Sequence, residues 1–329
     1  MTTVPSYVLG DLLAKPGSQA RGNCPVELGS MTASLPMVIT HGSQPGPVLA
    51  ITAGIHGGEY VPILAVRQFV RSLDPLQMHG TIVACLQSSP AAFQQRSAFV
   101  NPLDGQNLNR SFPGDPGGGP TARLTAWLWT NVISRADYYI DCHCGDLPET
   151  LAPFAGVSPG PDGVVNEHSR ALADCFDVGL LMMLRTQGAT VSAAALAGIP
   201  AALVEVGGGG RWSEEEVDVE RRGLHRAAQL VGVLPGQAGT RPRLPILEST
   251  AVLSEQAGLW FPDVAPGTPV IEGTRLGHLE DPFGAVLQEV QSPVAGVLAF
   301  GLSSLAAVEG SLLACIAHPA AATAEARHR

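Results

Sequence analysis

The chain has almost no lysine: Lys15 stands alone among 329 residues. That scarcity excludes a Walker A lysine and a Schiff-base lysine for a pyridoxal cofactor. The C-terminal part has none at all, which excludes a lipoyl- or biotin-carrying module there. Positive charge is sparse altogether, with 19 Lys and Arg against 29 Asp and Glu and a formal net charge of −10. Phosphate backbones attract cationic surfaces, so nucleic acid is not an expected partner. No apolar run approaches the length that spans a bilayer, so a membrane is not expected either. The N-terminus lacks a basic segment followed by an apolar one and does not read as a secretory signal. The six cysteines show no disulfide-framework spacing and read as reduced thiols. Together these features predict a cytoplasmic protein. The run Gly207–Gly210 lacks the G-x-G-x-x-G context of a dinucleotide site.

What is present is apolar residue: a 45% hydrophobic share is enough to bury a large core, and it leaves a homo-oligomer open. The 38 glycines and 27 prolines are scattered between apolar runs rather than gathered into repeats, as in a loop-rich globular enzyme. The opening forty residues read as short strands. A buried strand over 47–53 is followed by a turn at 54–60 and a helix with Ile63, Val66, Phe69 and Val70 on one face. Further strands are predicted over 81–86, 136–141 and 200–206, with helices over 121–133, 166–176, 191–197 and 214–230 between and after them. This alternation predicts an α/β fold, a sheet flanked by helices on both faces, over residues 1–233. A Pro- and Gly-rich linker spans 234–245. Short strands and turns over 246–316 predict a smaller all-β C-terminal domain, and 317–329 reads as a disordered tail. The segment from Pro90 to Pro120 is too long for an idle connection.

Four candidate site residues lie where strands end. His56 and Glu59 form H-x-x-E at a strand-to-helix turn, His143 ends the strand Y-Y-I-D-C-H, and Glu205 ends the strand A-L-V-E. Active sites of open α/β sheets lie outside the carboxyl ends of the strands, so the four are placed to converge. Two histidines and one carboxylate are a recurring ligand set for catalytic zinc, leaving one coordination position open. Amide hydrolysis needs a further carboxylate to move protons, and Glu205 fits that role, with the glycines after it leaving room for substrate. Each piece alone occurs by chance; the combination and the strand-end placement carry the argument. Side chains alternate along a strand, so Cys142 points away from the face of Asp141 and His143. Cys142 and Cys144 read as small buried fillers, and Asp141 as a carboxylate that orients the His143 ring. With one lysine in the chain, a substrate carboxylate would need an arginine, and Arg110 offers a bidentate fork with Asn109 beside it. Arg96 is a candidate to polarise the scissile carbonyl, a surface arginine being the alternative. His41, His79, His168, His225, His278 and His318 read as residues of turns or polar helix faces, without a role.

At G-I-H-G-G-E-Y, N-P-L-D-G-Q-N-L-N-R-S-F-P-G, D-C-H-C-G and L-V-E-V-G-G-G-G the sequence resembles the succinylglutamate desuccinylase/aspartoacylase family, a branch of the zinc carboxypeptidase superfamily. Order and spacing agree from about residue 35 to 212, and the β-rich end resembles the family's C-terminal domain. The resemblance implies a zinc-carboxypeptidase-like mixed sheet, one zinc ion on His56, Glu59 and His143, and Glu205 as general base and then acid. It implies that Asn109 and Arg110 hold the substrate's carboxylate, and that a small N-acyl amino acid is split into a carboxylate and a free amine. Three departures point away from aspartoacylase specificity. Pro102 stands eight residues before Arg110 where aspartoacylases carry an arginine. The stretch Ser192–Ala195 replaces an arginine near the catalytic glutamate, and no tyrosine follows Tyr139. The N-P-x-D-G-x-N-L-N-R-x-F-P-G form looks more like the branch with N-acetyl-diaminobutyrate deacetylases. Two other readings stand beside this one: a carboxypeptidase acting on small peptides, and a non-catalytic binding protein on the same fold.

Overall fold

A run such as Val48-Leu-Ala-Ile-Thr-Ala53, apolar except for Thr52, suits a strand buried on both faces. The structure, a computed structural model, describes residues 4–320 and puts that run in the middle of a 13-stranded mixed sheet, in the strand Gln44–Ala53. This strand pairs in parallel with His79–Cys85 on one side and Tyr138–His143 on the other. Ala201–Glu205 lies parallel to Tyr138–His143, and Phe154–Val157 follows antiparallel to it. At the other margin Thr32–His41 and Ser18–Glu27 form an antiparallel pair of ten-residue strands, longer than the sequence pattern suggests. Pro25 breaks the apolar pattern there, yet it is tolerated because Ser18–Glu27 is the edge strand.

Among the described residues six α-helices cover the sheet: α1 (Tyr60–Arg71), α2 (Pro90–Gln95), α3 (Pro120–Asn131), α4 (Gly163–Ala173), α5 (Thr190–Leu196) and α6 (Glu214–Leu230). Alternate strand residues feed two cores. Leu49, Ile51, Ile140 and Val204 pack with Val66 and Phe69 of α1, Leu172 of α4 and Leu224 of α6. Ala50, Tyr139 and Leu203 pack with Leu124 and Leu128 of α3 and Val191 of α5. The expected α/β sandwich is therefore present. Phe69 is fully buried, so Phe69→Ala is expected to destabilise the fold by about 3–5 kcal/mol, read as a lower urea midpoint. The α6 helix presents a face its sequence reading did not expect. The polar residues of α6 have surface spacing, yet Glu220 faces inward, with neither carboxylate oxygen hydrogen-bonded, and burial pushes its carboxyl well above the usual range.

The C-terminal strands do more than form a separate sheet. Ile246–Leu253 pairs in parallel with Leu180–Met183, and Leu312–His318, Gly296–Leu302 and Pro269–Val270 continue the large sheet beyond it. The margin at Leu180–Met183 would otherwise expose unpaired backbone, and this pairing closes it. A second, four-stranded sheet runs Val286–Gln291, Arg275–Glu280, Gly258–Pro262, Ala306–Ala307, with Trp260, Leu276, Leu279 and Val290 in its core. Ala317 and His318 belong to the last strand rather than to a tail, and residues 321–329 lie outside the described ones. His41, His79, His278 and His318 lie within strands, not turns. His41 is buried between Thr81 Oγ1 at 2.8 Å and the Pro5 carbonyl at 2.9 Å, a structural arrangement.

Candidate metal and active site

Strand register assembles the site. In the parallel pair, His143 lies directly opposite Glu205, each at the last position of its strand. Alternation places Asp141 and His143 on one face, and sends Cys142 with Val204 into the opposite core. Cys144 is buried against Val61, Ala65 and Val217, and burial pushes its thiol well up. Both cysteines are fillers of the kind expected. From the neighbouring strand the chain turns through Gly54–Glu59 into α1. Gly57 is required there, because a Cβ would lie 2.4 Å from the Ala92 carbonyl oxygen. Glu59 sits at the N-cap of α1 but makes no side-chain capping bond, so its carboxylate is left for other partners.

Those partners are the two imidazoles. Glu59 Oε1 lies 2.7 Å from His56 Nδ1 and 3.0 Å from His143 Nδ1. One donor atom from each of the three residues falls within 4.8 Å of the others, the geometry of a small cation site. The outer ring nitrogens are held separately: His56 Nε2 donates to Asn107 Oδ1 at 3.1 Å, and His143 Nε2 donates to Asp141 Oδ2 at 2.9 Å. Tying the outer nitrogen turns the other lone pair inward, as metal-binding histidines require. Asp141 is itself anchored, accepting from Thr52 Oγ1 at 2.6 Å and from the Thr190 hydroxyl. Burial alone would lower the His143 imidazole, but the Asp141 and Glu59 carboxylates hold it well above its usual range. Burial opposes ionisation of Glu59, yet the two imidazoles hold it below the usual carboxylate range. Two nitrogens and one carboxylate oxygen suit zinc.

Glu205 is raised well above the usual carboxylate range by burial, with Glu59, Glu149 and Asp141 adding to the shift and His143 opposing it. Its Oε2 is buried without a hydrogen-bond partner. Glu205 lines the same cavity as His56, Glu59 and His143.

These residues line a cavity of about 550 Å³, a volume suited to a small molecule. Asn109 and Arg110 line it too, on the short 3₁₀ turn Leu108–Arg110. Asn109 is partly committed to structure: its Oδ1 accepts from the Thr190 backbone N–H at 2.9 Å, and its Nδ2 is 3.5 Å from His143 Nε2. Arg96 is not brought to the site. It caps the C-terminus of α2 with φ 52°, is exposed, and does not line the cavity. The glycines after Glu205 do not line the cavity either.

Sequence reasoning passed over several wall residues. Asn107 holds His56. Asp146 accepts from the backbone N–H of Phe99 at 2.6 Å and of Leu147 at 2.7 Å. Phe99 has φ 59°, rare for an aromatic residue, and lies edge-on to His56 with ring centroids 6.1 Å apart. Glu149 also faces the cavity, and Ser249, Phe300, Gly301 and Leu302 reach it from the C-terminal part. The tight spacing of Asp141, His143, Asp146 and Glu149 along one segment was the available signal.

Comparison with known proteins bears on the family and the fold. Residues 45–231, more than half of the chain, match the Succinylglutamate desuccinylase/Aspartoacylase catalytic domain. The N-alpha-acetyl-L-2,4-diaminobutyric acid deacetylase of Halomonas elongata is 29% identical over 245 residues, 72% of this chain and 71% of that protein. The crystal structure of succinylglutamate desuccinylase/aspartoacylase from Rhodobacter sphaeroides superposes with a TM-score of 0.81 at 24% identity, covering 93% of this chain and 96% of that one. The product-bound ectoine utilization protein EutE from Ruegeria pomeroyi gives 0.83 at 21% identity, over 97% and 99% of the two chains. At these identities the structural likeness establishes the fold.

Proposed function

The chain belongs to the succinylglutamate desuccinylase/aspartoacylase family, and from that premise we propose that it is a zinc-dependent deacylase which hydrolyses a small N-acyl amino acid, of the N-acetyl-diaminobutyrate kind, to a carboxylate and a free amine. The observation that carries this reading is the convergence of His56, Glu59 and His143 on one point, with the unpartnered Glu205 opposite His143 in register. In this reading residues 1–233 form the catalytic part, and 246–316 contribute to the cavity wall.

His56, Glu59 and His143 would hold the ion, and Asp141 and Asn107 keep the two rings turned toward it. Zinc bound there supplies a Lewis acid for the amide carbonyl and makes a water acidic enough to attack near neutral pH. Arg110 engages the substrate's carboxylate through its guanidinium fork, and Asn109 offers its amide N–H beside it. Glu205 accepts the proton of the attacking water and delivers it to the departing nitrogen as the C–N bond breaks. Its buried setting makes it a stronger base than an exposed glutamate, which suits both transfers.

Zinc-loaded protein is expected to release amine from N-acyl amino acids and not from dipeptides. Release from dipeptides alone would make the chain a carboxypeptidase, and release from neither class would overturn the deacylase reading.

A further inference from the structure

The cavity holds one feature that the proposed chemistry leaves unused. Four carboxylates line it: Glu59, Asp146, Glu149 and Glu205. Glu59 faces the two imidazoles, Asp146 is occupied by two backbone N–H groups, and Glu205 has the proton-transfer role. Glu149 makes no side-chain hydrogen bond among the described residues, and its charge acts on the Arg110 guanidinium, raising it against the effect of burial. Among the described residues, Arg110 is the single lysine or arginine lining the cavity, and the proposed function assigns it to the substrate's carboxylate.

The fold fixes the place of Glu149 with some effort. Its backbone N–H donates to the Asp146 carbonyl at 3.0 Å, its carbonyl accepts from Gly209 N–H at 2.7 Å, and it pairs with Leu302 of the strand Gly296–Leu302. Gly145 and Gly208 press against the same carbonyl, and a Cβ on either would come within 2.6 Å of it. The glycine run after Glu205 therefore allows close approach of the strand Glu149–Leu151, where the sequence suggested room for substrate. The backbone is clamped on both sides while the side chain faces the cavity.

We propose that Glu149 receives a cationic group of the substrate, so that the cavity selects N-acyl amino acids carrying both a carboxylate, for Arg110, and a free ammonium. The inference rests on the deacylase reading above. Charge supports it. Burial and the nearby Glu59 and Asp146 carboxylates push the Glu149 carboxyl up to about 7, with His56 and His143 opposing. An ammonium set against this carboxylate favours its charged form. A substrate with two carboxylates would set the second one among carboxylates, with no second cation to meet it. Acidic acyl amino acids are thereby disfavoured and diamino acids favoured.

The test compares three compounds of similar size: Nα-acetyl-2,4-diaminobutyrate, Nα-acetyl-2-aminobutyrate without the ammonium, and N-acetyl-aspartate. The zinc-loaded wild type should show its highest kcat/KM on the first. In Glu149→Gln, kcat/KM on the diamino compound should fall about 10²-fold further than on the neutral one, chiefly through KM, because a buried charge pair has lost one partner. Glu149→Asp, which retains the charge, should recover part of that difference. Equal losses on both compounds would mean a purely structural part for Glu149 and overturn the assignment. So would a wild-type preference for the neutral or acidic compound, which would also remove the diaminobutyrate-like substrate while leaving deacylase activity itself standing. No turnover of any of the three would remove the deacylase reading and the assignment together.

Discussion

Glu205→Gln is expected to lower kcat by about 10²–10⁴-fold, the usual worth of a positioned general acid–base group, while zinc content stays at the wild-type level. The substitution removes proton uptake and little else. Glutamine has nearly the same shape, so the register partner of His143 and the cavity wall remain filled. Glu205 is not one of the three clustered donors, so metal retention should not depend on it. The carboxyl stands well above its ordinary range because of burial and the surrounding Glu59, Glu149 and Asp141. A group so placed takes a proton readily and holds it until a basic nitrogen departs, a role that a neutral amide cannot fill. The measurement is steady-state amine release alongside metal content of the purified variant. A kcat within tenfold of wild type, at full zinc occupancy, would sink the assignment.

The parts of this site that could be read from the chain are those tied to local geometry. H-x-x-E at a strand end, a histidine closing one strand and a glutamate closing another are statements about neighbouring residues, and parallel pairing then aligns them without further information. The orientation of Cys142 follows from the two-residue period of a strand alone. Properties set by distant contacts were not legible. Nothing near Leu180–Met183 announces that Ile246–Leu253 will pair with it, since that partnership is decided by which edge is left open after the helical layers pack. For the same reason the C-terminal part read as independent, although its strands extend the large sheet and its residues wall the cavity. Arg96 shows the opposite failure. It belongs to a functional segment by sequence, but a left-handed backbone at the end of α2 leaves it exposed, away from the cavity. Glu220 and Glu149 have no periodic signal because one buried acid in a polar helix, or in a short loop strand, looks like its solvated neighbours.

His143→Ala is expected to abolish both turnover and zinc-dependent stabilisation, and the second effect separates a lost ligand from a damaged fold. An ion that binds only the folded chain raises stability by RT ln(1 + [L]/Kd), about 2.7 kcal/mol at a free concentration one hundredfold above Kd. Wild-type protein stripped with a chelator should therefore gain in Tm on titration with zinc, and His143→Ala should gain almost nothing over the same range. Asp141→Asn should fall between them. It leaves the three donors in place but weakens the hydrogen bond that turns His143 Nε2 outward, and such outer partners typically contribute 10–100-fold in metal affinity. The Asp141→Asn titration should then reach any given wild-type gain in Tm at a zinc concentration higher by that factor. The ordering matters more than any single value, because His143 and Asp141 are both buried polar residues of the same strand and would destabilise the chain comparably if their role were only structural. A generic loss lowers Tm equally with and without zinc. Only a ligand and its supporting carboxylate, acting on one ion, produce one response that vanishes and another that is displaced along the concentration axis.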